Sequence, residues 1–291
     1  MDYVFLVSSD KDTDILYGSL PPRKRRREIP LSPGITGYSS LDDGDEVELV
    51  VIDKGYIYDP SDGQAFMPNM IQGPAQIYLD KEGQVHRDHG PAVEYGDGSS
   101  EYRHHGELQV VIYPDGGKSI YADGDLRLIE RADGRKEHYF EGQLHREHGP
   151  AVITPDGTEE WHSHDRPHRE DGPAVLYSDG GKEWYQYGRL HRQDGPAIVR
   201  AYGTKEWHHK GQLHRDDGPA VEHADGSQEW WQHGRLHRDP EQGPAIIRCD
   251  GHKEWRQEGC LHREDGPALE TADGRQEWYS HGRPPDGWSI R

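Results

Sequence analysis

The sequence predicts an all-β protein: an elongated single-layer antiparallel array of repeated β-hairpins behind a small or partly disordered N-terminal segment. Three observations carry this. The stretch "GRLHRQDGPAIV" at 188–199 recurs almost unchanged. Its His-Arg pair falls at His145, His168, His191, His214 and His237 in steps of 23 residues, then at His262 after a step of 25. A fixed period of this size marks a stack of supersecondary units. Asp-Gly recurs between the apolar segments, at Asp156, Asp179, Asp225, Asp250 and Asp273, and is a strong hairpin signal in that setting. Finally, 31% of residues are hydrophobic, against 36 Gly and 20 Pro, with a mean hydropathy of −1.07. That is too little for a thick core and enough for one buried stripe per unit.

In chain order, residues 1–45 read as an N-terminal segment with a basic linker and 46–291 as the array, with clear repeats from about 75. Residues 3–8 and 46–52 look like strands, and "YIYDPSDG" at 56–63 like a diverged hairpin that starts the array. Between them, 20–45 is rich in Pro, Gly, Ser and charge and reads as a mobile linker. Each later unit parses as a strand such as "PAIVRA", a turn centred on Asp-Gly, and a second strand beginning near "KEW". One repeat is then one hairpin, and type I′ geometry at Asp-Gly would place both central residues at positive φ.

A second landmark is the glycine before each His-Arg: Gly83, Gly106, Gly124, Gly142, Gly188, Gly211, Gly234, Gly259 and Gly282, with Asp165 standing in once. The steps from Gly106 to Gly124 and from Gly124 to Gly142 are 18 residues, and the HRxDGPA motif is missing there. The unit therefore has an 18-residue core, with "HRxDG" as a removable five-residue addition at one end of it. Four residues before the landmark stand Trp161, Trp184, Trp207, Trp230, Trp255 and Trp278, with Tyr102 in an early unit. Stacking would line these rings along one face as a structural stripe, each burying roughly 150–250 Å².

The net charge of −20 is spread through the repeats. Such a surface repels phosphate backbones and anionic membranes, which argues against nucleic acid and membrane as partners of the array. The exception is the block Arg23, Lys24, Arg25, Arg26 and Arg27. It reads either as a nuclear localisation signal or small nucleic-acid contact, or as a solvated linker charge run. Two cysteines in one repeat give no disulfide framework and fit a reducing compartment. No apolar run is long enough to span a membrane, and "YVFLV" at 3–7 lacks the basic flank of a signal peptide. The expectation is an intracellular protein, cytoplasmic, virion-associated or nuclear.

The pattern W-x-x-x-G-x-x-H-x-x-x-G-x-A, as at Trp184, Gly188, His191, Gly195 and Ala197, resembles the MORN repeat (membrane occupation and recognition nexus). It is most similar to the "LHRxDGPA" variant carried by large DNA viruses of amoebae and by some phages and bacteria. The resemblance covers about 75–291 and implies a single-layer β-array that works as a scaffold for protein–protein contacts, with lipid binding in some family members. It departs from typical units in the HRxDGPA block itself.

No cofactor, metal or catalytic residue is expected. Equivalent residues two strands apart are separated by roughly 10 Å, so the His ladder shares no metal at zinc's bond length of about 2 Å. The densest cluster within a repeat is His162, His164 and His168, and adjacent pairs stand at 104–105 and 208–209. Catalysis needs one distinct nucleophile with a base in reach, whereas here the same His, Arg and acid recur at least six times along the chain. The default reading is a structural turn, with the His bonded to its loop's own Asp or a carbonyl and the Arg paired with an acid. The sharper alternative is a partner-binding strip: His145, Arg146, His168, Arg169, His191, Arg192, His214, Arg215, His237, Arg238, His262 and Arg263, laid against a repetitive capsid, filament or host protein. On that reading, alanine at Arg192, Arg215 and Arg238 leaves folding intact and removes partner capture. With 20 histidines and a pI near 5.4, self-association is expected as pH falls towards about 5.5.

Overall fold

The computed structural model describes residues 75–82 and 84–285 in full. Before them it describes the backbone of the strands Asp2–Ser9, Asp12–Ser19, Ile29–Pro30, Ile35–Gly37, Glu48–Tyr58 and Ile71–Leu79. The basic block 23–27, residues 59–63 and Gly83 lie outside the described residues. The protein is an all-β array of consecutive antiparallel hairpins, and its only described helical turn is a 3-10 turn at Pro240–Gln242. The chain divides into two units, Met1–Gly142 and Gln143–Arg291.

In the first unit, Glu48–Tyr58 is the hub. It pairs with Ile35–Gly37 and Ile71–Leu79, and through its end with Asp2–Ser9, which forms a hairpin with Asp12–Ser19. The expected strands at 3–8 and 46–52 lie inside these elements. The strand Asp12–Ser19 was not anticipated, nor that Glu48–Tyr58 runs unbroken into the segment read as a hairpin. From Ile71 onward the unit is a meander through Val93–Tyr95, Ser100–His104, Glu107–Ile112, Lys118–Ala122, Asp125–Glu130 and Lys136–Phe140. Its core gathers Ala75, Ile77, Leu79, Val85, Ala92 and Val93.

In the second unit each repeat holds two hairpins, where the sequence predicted one. Ile198–Val199 pairs with Lys205–Glu206, which pairs onward with Val221–Glu222 of the next repeat, and this continues the main sheet. His208–His209 then turns back on Gln212–Leu213 as a separate two-stranded side hairpin. Trp207 is the fork. Its N–H donates to the Ala220 carbonyl on the main sheet (2.8 Å), and its carbonyl accepts from His214 N–H on the side hairpin (3.0 Å). The same pair of bonds recurs at Trp161, Trp184, Trp230 and Trp255.

The two hairpins use different turns, and the type I′ assignment belongs to the other one. At Asp-Gly only the glycine has positive φ, as at Gly180 (φ 89°). Gly180 N–H bonds the Tyr177 carbonyl, and Tyr177 N–H bonds that of Gly181: a three-residue loop, a type I turn closed by a glycine bulge. Asp179 keeps an ordinary φ because its carboxylate accepts the Gly181 N–H at 2.8 Å, an Asx turn repeated at Asp97, Asp115, Asp225 and Asp250. Type I′ falls instead on the landmark glycine and the residue before it, as at Tyr187 (φ 47°) and Gly188 (φ 80°). Where Asp165 replaces that glycine it adopts φ 64°, and its carboxylate accepts the Leu144 N–H at 2.7 Å.

The buried stripe is aliphatic. Ala151, Ala174, Ala197, Ala220, Ala245 and Ala268 are each 0% exposed, followed in most repeats by a buried Val or Ile. The tryptophans form a row but not the core: Trp255 is buried, Trp161, Trp184, Trp207 and Trp230 are half-buried, and Trp278 is 37% exposed. One face of the Trp161, Trp184, Trp207, Trp230 and Trp255 rings carries a cation instead of packing on the sheet.

Candidate functional site

The His-Arg loop leaves the end of each side hairpin and rejoins the main sheet at Gly-Pro-Ala. Its arginine folds inward. The guanidinium carbon of Arg169, Arg192, Arg215, Arg238 and Arg263 lies 3.9–4.1 Å from the centroid of the ring of Trp161, Trp184, Trp207, Trp230 and Trp255 respectively. Arg87 covers Tyr78 in the same way. Nη1 donates to the proline carbonyl that closes the loop, at 3.0–3.3 Å, for all of these and for Arg146 on Pro150. On its other face the guanidinium meets the glycine before that proline, where a Cβ on Gly218 would lie 3.0 Å from the Arg215 Cζ. The glycine in "DGPA" is therefore fixed by contact with arginine as well as by the turn.

The histidine joins one repeat to the next. Nδ1 of His168, His191, His214 and His262 accepts the backbone N–H of Tyr187, Lys210, His233 and His281, each 19 residues ahead, at 3.3–3.4 Å. His237 does the same for Glu258. Those N–H groups belong to the first central residue of the type I′ turn, which points them outward. Of the expected contact with the loop's own acid, the structure shows only proximity, with Nε2 of His214 3.5 Å from Asp216 and that of His86 3.2 Å from Asp88. Arginine–acid pairs form at Arg215 with Asp217 and Glu222, and at Arg87 with Glu94. What faces solvent from these loops is the acid: Glu147, Glu170, Asp171, Asp194, Asp216, Asp217, Glu264 and Asp265 are all exposed.

A further ladder escaped the sequence. The glutamate of "KEW" sits across the sheet from a buried Val or Ile, as Glu183 faces both Val175 and Ile198. A half-buried carboxylate there needs donors, and the residue after each tryptophan supplies one. His162, Tyr185, His208, Trp231, Arg256 and Tyr279 bond Glu160, Glu183, Glu206, Glu229, Glu254 and Glu277 at 2.5–3.0 Å. The His208 hydrogen bond holds Glu206 below the usual carboxylate range. Burial pushes Glu254 up, but bonds from His252 and Arg256 outweigh it and leave its pKa lowered. The signal was legible as E-W followed invariably by a hydrogen-bond donor.

The histidines singled out as the densest cluster separate: His162 bonds Glu160, and His164 packs on His145. Among the described residues a different trio converges, His86, His104 and His105. The spacing argument compared equivalent positions, whereas this cluster joins the loop of one repeat to the turn of the next. Its geometry is that of a stack. His86 and His105 lie parallel, 4.3 Å apart and 7° between planes, so their in-plane lone pairs cannot aim at one ion. His86 Nδ1 already accepts the His105 N–H at 3.2 Å, and His105 Nδ1 is held by Asp80 at 2.8 Å. The same stack is made by His214 with His233, and by His168 with Tyr187, where the partner is a phenol. A flat ring occupies this position in most repeats, with Lys210 and Glu258 as exceptions.

No protein-family model and no curated protein matches the sequence. Among solved structures, the chain aligns with the wild-type TCP10 domain of Danio rerio CPAP, determined in complex with a peptide of Danio rerio STIL. The alignment has 19% identity and a TM-score of 0.23, and covers 77% of this chain and 98% of that one. A TM-score this low carries no argument about function.

Proposed function

We propose that this is a non-enzymatic, MORN-like scaffold whose repeats present a row of acidic loops to a protein partner. The observation that carries the reading is the division of labour inside HRxDG. Arginine covers tryptophan and histidine bonds the next turn, so both work for the fold, while the acids point to solvent once per repeat. The strip offered to a partner is then anionic, and His145 to Arg263 act as its supports. A repetitive partner with basic side chains, of capsid or filament type, fits such a strip, and electrostatic complementarity sets its register and on-rate more than its affinity.

Crosslinking mass spectrometry in the native source tests this with the full chain and with a charge-reversed chain, Glu170→Lys, Asp194→Lys and Glu264→Lys. Surface changes of this kind alter stability by about 0.5 kcal/mol or less each, so the reversed chain should fold alike. Crosslinks from the repeat loops to one other protein, lost on reversal, support the reading. Crosslinks confined to residues 1–45 or to the chain itself, or unaffected by reversal, sink it.

A further inference from the structure

Four imidazoles run in contact across three successive repeats. The ring of His191 lies 5.0 Å from that of His209, His209 lies 6.0 Å from His214, and His214 stacks on His233 at 4.4 Å. Within this run, Nδ1 of His191 accepts the Lys210 N–H and Nδ1 of His214 accepts the His233 N–H, both at 3.4 Å. An acceptor at Nδ1 places the proton of the neutral ring on Nε2.

We propose that the segment 188–234 is a proton-operated joint: neutral imidazoles tie its repeats together, and protonation releases them. Protonating Nδ1 turns the acceptor into a donor aimed at a backbone N–H, so the inter-repeat bond is replaced by repulsion. Charging neighbouring rings adds like charges at 4.4–6.0 Å.

The groups facing this run are few. His191 meets His209 and Lys210, both able to carry positive charge. His214 meets His209, His233 and one carboxylate, Asp216, which is 86% exposed and 3.5 Å from Nε2. Asp217 is engaged by Arg215 at 2.9 Å. Burial of His191, reinforced by His209 and Lys210, lowers its pKa. The sign follows: a depressed histidine contributes stability that is present above its ordinary value of about 6.5 and is lost as pH falls below it.

The next junction is a control within the same chain. Nδ1 of His237 also accepts a turn N–H, that of Glu258, but the Glu258 carboxylate lies 3.2 Å from the same nitrogen. A proton added there exchanges the N–H bond for an ion pair with the Glu258 carboxylate, which Arg235 also holds at 3.0 Å, so the turn stays tied to the loop.

The test is amide exchange by NMR on the full chain at pH 7.5 and 5.5, corrected for the intrinsic pH dependence of exchange. Protection of the Lys210 and His233 amides should fall about tenfold across that range, the scale of one lost hydrogen bond together with a like-charge contact, while that of Glu258 stays within about threefold. A second chain, His191→Asn with His214→Asn, keeps an oxygen acceptor at every pH and should hold protection at Lys210 and His233. Flat protection in the native chain, an equal fall at all three amides, or the same fall in the Asn chain overturns the proposal. If the Asn chain does not fold, the comparison of the three amides in the native chain decides alone.

Discussion

Residues 100–140 and residues 151–283 share their two turns and their strand pairing, and they differ at a single point. In the 18-residue units a strand passes the fork with one residue out of register: Tyr102 faces Val110 and Arg103 faces Leu108, leaving Gln109 between. In the 23-residue units Leu213 faces His208 just as Leu108 faces Arg103, and Trp207 bonds Ala220 where Tyr102 faces Val110. His214–Pro219 therefore stand where Gln109 stood. The insertion is not an addition at the end of a unit. It is a detour that splits a bulged strand into a main-sheet half and a side-hairpin half.

That detour changes what the fork can hold. A one-residue bulge leaves Tyr102 and Ile120 at the ring position and Val110 and Leu128 on the strand opposite. Six residues bring a proline carbonyl and a bare glycine face over the ring, so a guanidinium can lie flat between them. The residue opposite shrinks to alanine. Stacking of Arg on Trp is worth about 0.5–2 kcal/mol depending on desolvation, and it repeats down the unit.

Removing the ring should separate the two regions most. Trp207→Ala is expected to cost about 3 kcal/mol, the lower end for an aromatic truncation because the ring is half-buried. Tyr102→Ala, with no loop arginine above it, should cost about half as much. Urea denaturation followed by far-UV circular dichroism checks both, and equal losses would mean that the detour adds nothing to the fork.

A smaller effect sharpens the burial side of the comparison. Val221 is 6% exposed, whereas its counterpart Val111 is half-buried. Val221→Ala should cost about 2 kcal/mol, from two lost methyl groups and a residual cavity, and Val111→Ala about 1 kcal/mol or less. A larger loss at Val111 would place the core of the 18-residue units where the structure does not.

Smaller again is the arginine itself. Arg215→Ala should cost about 1–2 kcal/mol in the native chain and close to nothing when Trp207 is already Ala, because the two act as one unit. Triple replacement of Arg192, Arg215 and Arg238 is thus expected to lower stability, where the sequence alone predicted intact folding. Gly218→Ala should mimic Arg215→Ala in part, since its Cβ would press on the guanidinium. Additive losses at Trp207 and Arg215 would contradict the clip.

The period, the all-β class and the hairpin repeats were legible because each depends on residues near in sequence or on simple patterning, whereas the buried stripe was read as the tryptophan row and is the alanine row. The fork was not legible. Its bonds join Trp207 to Ala220, and His191 to Lys210, 19 residues on, and an offset of one period less four has no signature in a single repeat. Turn types were misassigned because Asp-Gly fits two hairpin loops. What decides between them is whether the Asp carboxylate captures the N–H two residues ahead. The charge of HRxDG misled for a related reason: an arginine beside acids reads as an ion pair until the tryptophan eight residues before it turns out to lie beneath it.

At the Asp-Gly turns the two regions should behave alike, and that is the finest test of the comparison. Asp156 is fully exposed, yet its pKa is lowered to about 2, first by the Thr154 hydroxyl, then by the Thr158 N–H, with Ser178 of the next repeat adding a bond. Asp97, in the first unit, is lowered by the Ser99 hydroxyl and N–H. A depressed carboxylate contributes stability that is present above its ordinary value, near 4, and fades as pH falls through the folded value. The Asp156 turn should therefore hold at pH 4 and loosen only towards pH 2, and the Asp97 turn should likewise hold below the ordinary carboxylate value. Carboxyl carbon shifts followed from pH 6 to pH 1.5 would show it, and Thr154→Val should move Asp156 back towards the ordinary carboxylate range while leaving Asp97 in place. If Asp156 titrates low and Asp97 does not, the regions differ in their turns as well as at the fork, and the insertion is no longer a sufficient account of what separates them.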